Sequence, residues 1–221
     1  MPRYLLSPSI LSADFARLGE EVAAVEEVAD LLHIDAMDGH FVPPITIGPV
    51  VVASLKRITD LPLECHLMVT DPLAQAEQFA EAGGSAVLMH LEAMPDPTPV
   101  VDRCRELGLK VGVSINPPTP LEAALPYLDK VDTLNCMTVN PGWAGQAFIP
   151  EVLTKIEAAR KHIDANDLDC NIAVDGGINL DTGRQVLDAG ANVLGAASAI
   201  FGKSDPKAAA KQLRALLDSF A

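Results

Sequence analysis

Four side chains in this sequence could together hold a divalent metal and move protons. The segment His33-Ile34-Asp35-Ala36-Met37-Asp38-Gly39 carries an imidazole and a carboxylate two residues apart. His66 lies in Cys65-His66-Leu67-Met68, and Asp175 in Val174-Asp175-Gly176-Gly177. Residues two apart on a strand project to the same side, so His33 and Asp35 form a pair. Two imidazoles and two carboxylates suit a divalent ion such as Zn, Fe(II) or Mn. Taken singly, each residue has an ordinary explanation: a strand histidine is usually a hydrogen-bonded core residue, and an Asp before Gly-Gly usually forms a turn. Taken together they resist it, because burying two carboxylates requires compensating charge, which a metal supplies.

Two further segments suit a bound anion and a cover for it. Asp175-Gly176-Gly177-Ile178 and Gly195-Ala196-Ala197-Ser198-Ala199-Ile200-Phe201-Gly202 are rich in small residues whose backbone N–H groups can approach a phosphate. Asn140-Pro141-Gly142-Trp143-Ala144-Gly145-Gln146 reads as a loop with hinge glycines and a lone Trp able to shield a site from water. Met37, Met68 and Met137 share parity with His33, His66 and the inner face of the sixth strand and would form an apolar wall, although methionines are also routine gap fillers.

These residues need a scaffold that brings strand ends together. β-branched runs at Tyr4–Leu11, Leu31–Met37, Leu63–Val69, Ala86–Glu92, Lys110–Asn116, Asp132–Val139, Cys170–Gly176 and Asn192–Ala199 alternate with amphipathic stretches. The helical patterns include Phe15–Val28, Pro72–Ala82, Pro99–Leu107, Pro150–Ile163, Leu180–Ala189 and Asp205–Ser219. Eight strand–helix units filling residues 1–221 as one domain predict an α/β fold, a single (β/α)8 TIM barrel. The alternative, a doubly wound open sheet, would be favoured by a GxGxxG after the first strand, and Ser7–Gly19 contains none. Parity agrees with the barrel: Val111, Val113 and Ile115 share the face toward helices, and Gly112, Ser114 and Asn116 the inner wall. In such a barrel His33, Asp35, His66 and Asp175 meet at the C-terminal rim, and the loops after strands seven and eight make the phosphate site.

Bulk composition narrows the partners. The formal net charge of −14 argues against nucleic acid and anionic membrane. It also means that a phosphate must be held by directed backbone donors rather than by a basic surface. No apolar run approaches the length of a membrane span and no signal pattern opens the chain, so a cytoplasmic protein is expected. Cys65, Cys104, Cys136 and Cys170 lack CxxC spacing and read as core thiols.

The sequence resembles the ribulose-phosphate 3-epimerase family. The resemblance is carried by Ser7-Pro8-Ser9-Ile10-Leu11, by His33 through Asp38-Gly39-His40-Phe41-Val42-Pro43, and by His66-Leu67-Met68-Val69. Met137-Thr138-Val139-Asn140-Pro141-Gly142-Trp143-Ala144-Gly145-Gln146 and Val174-Asp175-Gly176-Gly177-Ile178 complete it. It implies a metal-dependent isomerase interconverting D-ribulose 5-phosphate and D-xylulose 5-phosphate through an enediolate, as in the pentose phosphate pathway, and working as a homo-oligomer. His33, Asp35, His66 and Asp175 would hold one divalent metal ion, and Asp35 and Asp175 would be the acid/base pair. Ser9 and His66 would touch the substrate, and Gly142, Trp143, Ala144, Gly145, Gly176, Gly177, Ala197 and Ser198 would line its phosphate end. Three positions depart from the family pattern: Pro44 in place of Asn, Ala197 where a Gly-Ser pair is usual, and Asn135 within an apolar strand.

Rival chemistries fit less well. A decarboxylase or hexulose-phosphate synthase would want a lysine where Ala36 and Met37 stand, and a Schiff-base aldolase needs one inside the barrel, where only Lys110 is offered, at the wrong end. A 3-epimerase acting on a six-carbon ketose phosphate such as allulose 6-phosphate uses the same chemistry. A catalytically silent, metal-stabilised barrel that binds sugar phosphates is the non-enzyme alternative.

Overall fold

A computed structural model describes residues 3–221. Eight parallel strands, β1 (Leu5–Pro8), β2 (Leu32–Met37), β3 (Leu63–Met68), β4 (Ala86–His90), β5 (Lys110–Ile115), β6 (Thr133–Met137), β7 (Asn171–Asp175) and β8 (Val193–Ala196), form one sheet. Its order is β1-β8-β7-β6-β5-β4-β3-β2, and a backbone bridge between Ser9 and His33 spans the remaining seam. The sheet is therefore a nearly closed barrel, wrapped by α1 (Leu18–Val25), α2 (Pro49–Leu55), α3 (Pro72–Glu81), α4 (Thr98–Glu106), α5 (Val152–Ala165), α6 (Leu180–Asp188) and α7 (Pro206–Asp218).

The expected parity holds inside β5. Val111, Val113 and Ile115 belong to the large apolar core shared with the helices, while a methyl group on Gly112 would fall 2.3 Å from Leu88 Cδ2. Only a residue without a side chain fits the wall there. The Asn135 amide finds a partner in the same interior: its Nδ2 donates to Ser114 Oγ at 3.1 Å, and its Oδ1 has none. All four cysteines are buried and free, and burial pushes their thiols up to about 11 (Cys104) or about 12. Among the described residues, no helix is long and apolar enough to cross a membrane.

The elements depart from expectation at four places. The run Tyr4–Leu11 stops at Pro8 because the Ser9 hydroxyl accepts the Leu11 N–H and opens a 3-10 turn over Ile10–Ser12. Phe15–Val28 divides into a 3-10 turn, Phe15–Arg17, capped by Asp14, and the shorter α1. Helix α2 was absent from the expected patterns. The regular strand–helix alternation also fails after β5, where two 3-10 turns, Leu121–Ala123 and Leu125–Tyr127, replace a helix. Pro117, Pro118, Pro120 and Pro126 remove helical N–H donors and clash with the preceding turn. Lys155 on α5 anchors this connection, donating to the carbonyls of Asn116, Pro117 and Thr119 at 2.5–3.0 Å.

The N-terminal end of the barrel is fastened by polar side chains that precede strands. Asp30 accepts the Leu6 N–H at 2.9 Å, Asp132 the Val111 N–H at 2.7 Å, and Asn192 the Ile172 N–H at 2.8 Å. Arg214 on α7 adds an ion pair to Asp30 at 2.9 Å. Stability contacts gather at this end and leave the opposite rim free to carry polar groups for chemistry.

Candidate metal and catalytic centre

Strand register brings the four polar residues together. Asp35 on β2 stands opposite His66 on β3, and Asp175 ends β7 between Met137 and Gly195. His33 Nε2 lies 3.2 Å from Asp35 Oδ1, 3.6 Å from Asp175 Oδ2 and 3.3 Å from His66 Nδ1. His66 Nδ1 lies 3.1 Å from Asp35 Oδ1 and 3.3 Å from Asp175 Oδ2. One ligand atom from each residue lies within 4.8 Å of every other. A tetrahedral ion with bonds near 2.1 Å has ligand–ligand edges of about 3.4 Å, so these separations suit a small divalent cation.

The electrostatics agree with that fit. His33, Asp35 and His66 are at most 3% exposed. Burial alone would strip the imidazoles of their second protons. For His33 the Asp35 charge, followed by bonds to Asp175 and Glu64, reverses this and holds its pKa well above the usual range. For His66, bonds to Asp175 and Asp35 likewise outweigh burial and hold its pKa up. Burial pushes the two carboxylates the other way, but His33 and His66 hold both below the ordinary range. Two buried negative charges thus demand two positive ones, and a divalent cation with neutral imidazoles meets the demand as well as two imidazolium protons.

The centre forms the floor of a cleft at the C-terminal rim. Ser9, Asp35 and Asp175 reach the cleft, and Met37, Met68 and Met137 form its apolar wall. Gly142, Trp143, Ala144, Gly145, Gly176, Gly177, Ala197 and Ser198 line the rest, so every residue expected at the substrate faces it except His66. His66 has no exposed surface and lies beneath the floor with His33. No lysine or arginine lines the cleft, as a backbone-built anion site requires. Trp143 lines the cleft but is 63% exposed, so most of its ring stands in solvent. Pro44 does not line the cleft; it packs beside the Trp143 loop, 3.7 Å from where a methyl on Gly142 would sit. Ala197 lines the cleft, and its carbonyl accepts the Ile200 and Phe201 N–H groups.

Side chains around the cluster set its orientation. The Ser9 hydroxyl donates to Asp35 Oδ2 at 2.6 Å, which turns Oδ1 toward the histidines. The Thr138 hydroxyl donates to the carbonyls of Asp175 and Gly176 and ties the end of β6 to the end of β7. Gly176 has φ of +109°, and a methyl there would meet Val139 Cγ2 at 2.3 Å. Gly176→Ala should therefore lower stability by about 2–4 kcal/mol, combining left-handed strain with overpacking. A denaturant melt within 0.5 kcal/mol of the unsubstituted protein (roughly the scatter of neutral surface changes) would contradict this.

Three residues of the centre were not singled out from the sequence. Glu64, 5% exposed, places Oε1 3.0 Å from His33 Nδ1. His90, with no exposed surface, places Nε2 2.9 Å from His66 Nε2 and Nδ1 3.2 Å from Glu92 Oε2. Burial drives the His90 pKa down to about 4, so this ring is neutral. The available signal was parity: Glu64 is two residues before His66, and His90 two before Glu92.

Fold and centre together define a TIM-barrel protein with a metal-competent His/Asp cluster at its catalytic rim. The sequence model described as the ribulose-phosphate 3 epimerase family matches residues 5–201, and the chain belongs to that family. A ribulose-phosphate 3-epimerase of Mycobacterium bovis is 51% identical over 95% of this chain and 91% of its own length. That of Bacillus subtilis is 46% identical over 95% and 97%, and that of Escherichia coli 42% over 98% and 97%. Among solved structures, 3-hexulose-6-phosphate synthase from Salmonella typhimurium superposes with a TM-score of 0.75 at 17% identity, covering 98% of this chain and all (100%) of that one. Orotidine 5'-phosphate decarboxylase from Pyrococcus horikoshii gives 0.72 at 15% identity, covering 97% and 99%; both likenesses concern the fold alone.

Proposed function

We propose that this chain is an isomerase that interconverts D-ribulose 5-phosphate and D-xylulose 5-phosphate by removing and returning the proton at C3. The observation that carries the reading is that Asp35 and Asp175 both open onto one cleft while sharing a buried cluster with two histidines. His33, Asp35, His66 and Asp175 would hold the divalent ion, for which Zn, Fe(II) and Mn all match a donor set of two nitrogens and two oxygens. When bound, the metal supplies Lewis-acid stabilisation of the negative charge that deprotonation places on the ketose oxygens.

The protein's own groups do the proton transfer. Asp35 and Asp175 stand on strands three steps apart around the barrel, so they flank a sugar carbon from opposite faces. One takes the proton in its ionised form, and the other, which the histidines hold ionised in the free site, must gain a proton before it delivers one to the far face. Ser9 holds Asp35 in its working rotamer, and the methionines keep water from the reacting carbon. The phosphate lies against the backbone of Gly176, Gly177, Ala197 and Ser198. The reading extends to a cytoplasmic homo-oligomer: Ile45 and Val50, each 80% exposed, offer an apolar surface to a second copy.

The test is turnover of metal-loaded protein on ribulose 5-phosphate beside allulose 6-phosphate. Clear preference for the pentulose is expected. Preference for the hexulose moves the substrate by one carbon, and no turnover of either leaves a binding barrel.

A further inference from the structure

We propose that His90 and Glu92 are positioning residues that set the tautomer of His66 and thereby build one face of the metal centre. The inference rests on the metal reading of the cluster. The two histidines of the cluster present different nitrogens to it: His33 uses Nε2 and His66 uses Nδ1. An imidazole ligand needs a lone pair at the ligating nitrogen, so its other nitrogen must carry the proton and needs an acceptor.

For His33 that acceptor is the Glu64 carboxylate at 3.0 Å from Nδ1. For His66, among the described residues, no carboxylate pairs with Nε2. The acceptor is His90 Nε2 at 2.9 Å. Two facing imidazole nitrogens bond only if one carries a proton and the other does not. With His66 donating, His90 must carry its own proton on Nδ1, which points at Glu92 Oε2, 3.2 Å away. Glu92 is held in turn by the Asn116 N–H at 2.8 Å and by the Thr119 hydroxyl.

With both rings neutral, the chain Glu92–His90–His66 has one self-consistent proton arrangement, and it leaves the His66 Nδ1 lone pair facing Asp35 and Asp175. The reverse arrangement would leave His90 Nδ1 without a proton opposite a carboxylate. The His90 and His66 rings lie within 24° of one plane, as an N–H···N bond between their edges requires, and the Phe41 ring packs against His90 at 4.9 Å between centroids. Its neutrality matters to the design: a carboxylate in its place would add a third buried negative charge to the cluster. The relay delivers the orienting effect of Glu92 while keeping its charge at the margin, where the side chain is 24% exposed.

The test reads metal binding rather than turnover. Co(II) is titrated into metal-free protein against a chelator of known affinity, and its visible d–d spectrum is recorded, with circular dichroism to report the fold. His90→Phe keeps the aromatic packing and deletes the acceptor; it should weaken Co(II) binding by about 10- to 100-fold and change the spectrum. His90→Gln retains an acceptor for His66 and a donor for Glu92, and should recover most of the affinity. Glu92→Gln reads the same chain from its outer end without touching the buried rings, and should shift binding in the same direction. Wild-type affinity and spectrum in His90→Phe or in Glu92→Gln overturns the relay, as does equal loss in His90→Gln and His90→Phe. Failure of the unsubstituted protein to bind Co(II) at all overturns the metal reading beneath it.

Discussion

Asp35→Asn and Asp175→Asn each reduce epimerisation by about 10³-fold or more in both directions, because each removes one of two groups that must exchange protons with C3. The loss is symmetric, since the acid in one direction is the base in the other. Both side chains also belong to the four-residue cluster, so metal loss must be separated from proton-transfer loss. Exchange in deuterated water, run at saturating metal, does so. If Asn at one position leaves the metal bound, the remaining carboxylate still labels the substrate from its own face without inverting it. A variant that keeps a rate within tenfold of the unsubstituted enzyme removes the two-carboxylate mechanism.

Stripping the metal should be as severe. Chelation is expected to stop turnover, and stoichiometric divalent ion to restore it. The change also registers in stability, because an ion that binds only the assembled cluster of the folded state adds its binding free energy to that state. At a free ion concentration one hundred times Kd, binding adds about 2.7 kcal/mol to the folded state, which corresponds to a rise of roughly 5–10 °C in Tm for a chain of this size. Calorimetry of chelated and reloaded protein measures both effects. Full activity together with an unchanged Tm in chelator would leave the cluster as an ordinary buried polar network.

Much of this was legible in advance, for reasons that differ from residue to residue. Strand periodicity put His33 and Asp35 on one face, as they stand on β2, because period two is insensitive to an error of a residue or two at a strand's end. Helix α2 was not visible, since Pro49-Val50-Val51-Val52-Ala53-Ser54-Leu55 puts three β-branched residues in succession and has the local preference of a strand. It is helical because Val52 and Leu55, three apart, bury against the barrel, a tertiary effect. His90 was only partly readable: its parity with Glu92 lies in the sequence, but it meets His66 only because β4 lies beside β3 in this register. The proline-rich stretch after β5 shows the opposite case: its breakers were readable, and the regularity of the other units concealed them.

The seam of the barrel carries a consequence for quality control in folding. Ser9 makes the backbone bridge to His33 that joins β1 to β2, and its hydroxyl holds Asp35. The last strand contact needed to complete the ring and the contact that aims a reactive carboxylate are therefore made by one residue. A chain whose first strand has not docked lacks both, so directed proton transfer is expected only once that strand is in place. Reactivity becomes a signature of completed assembly.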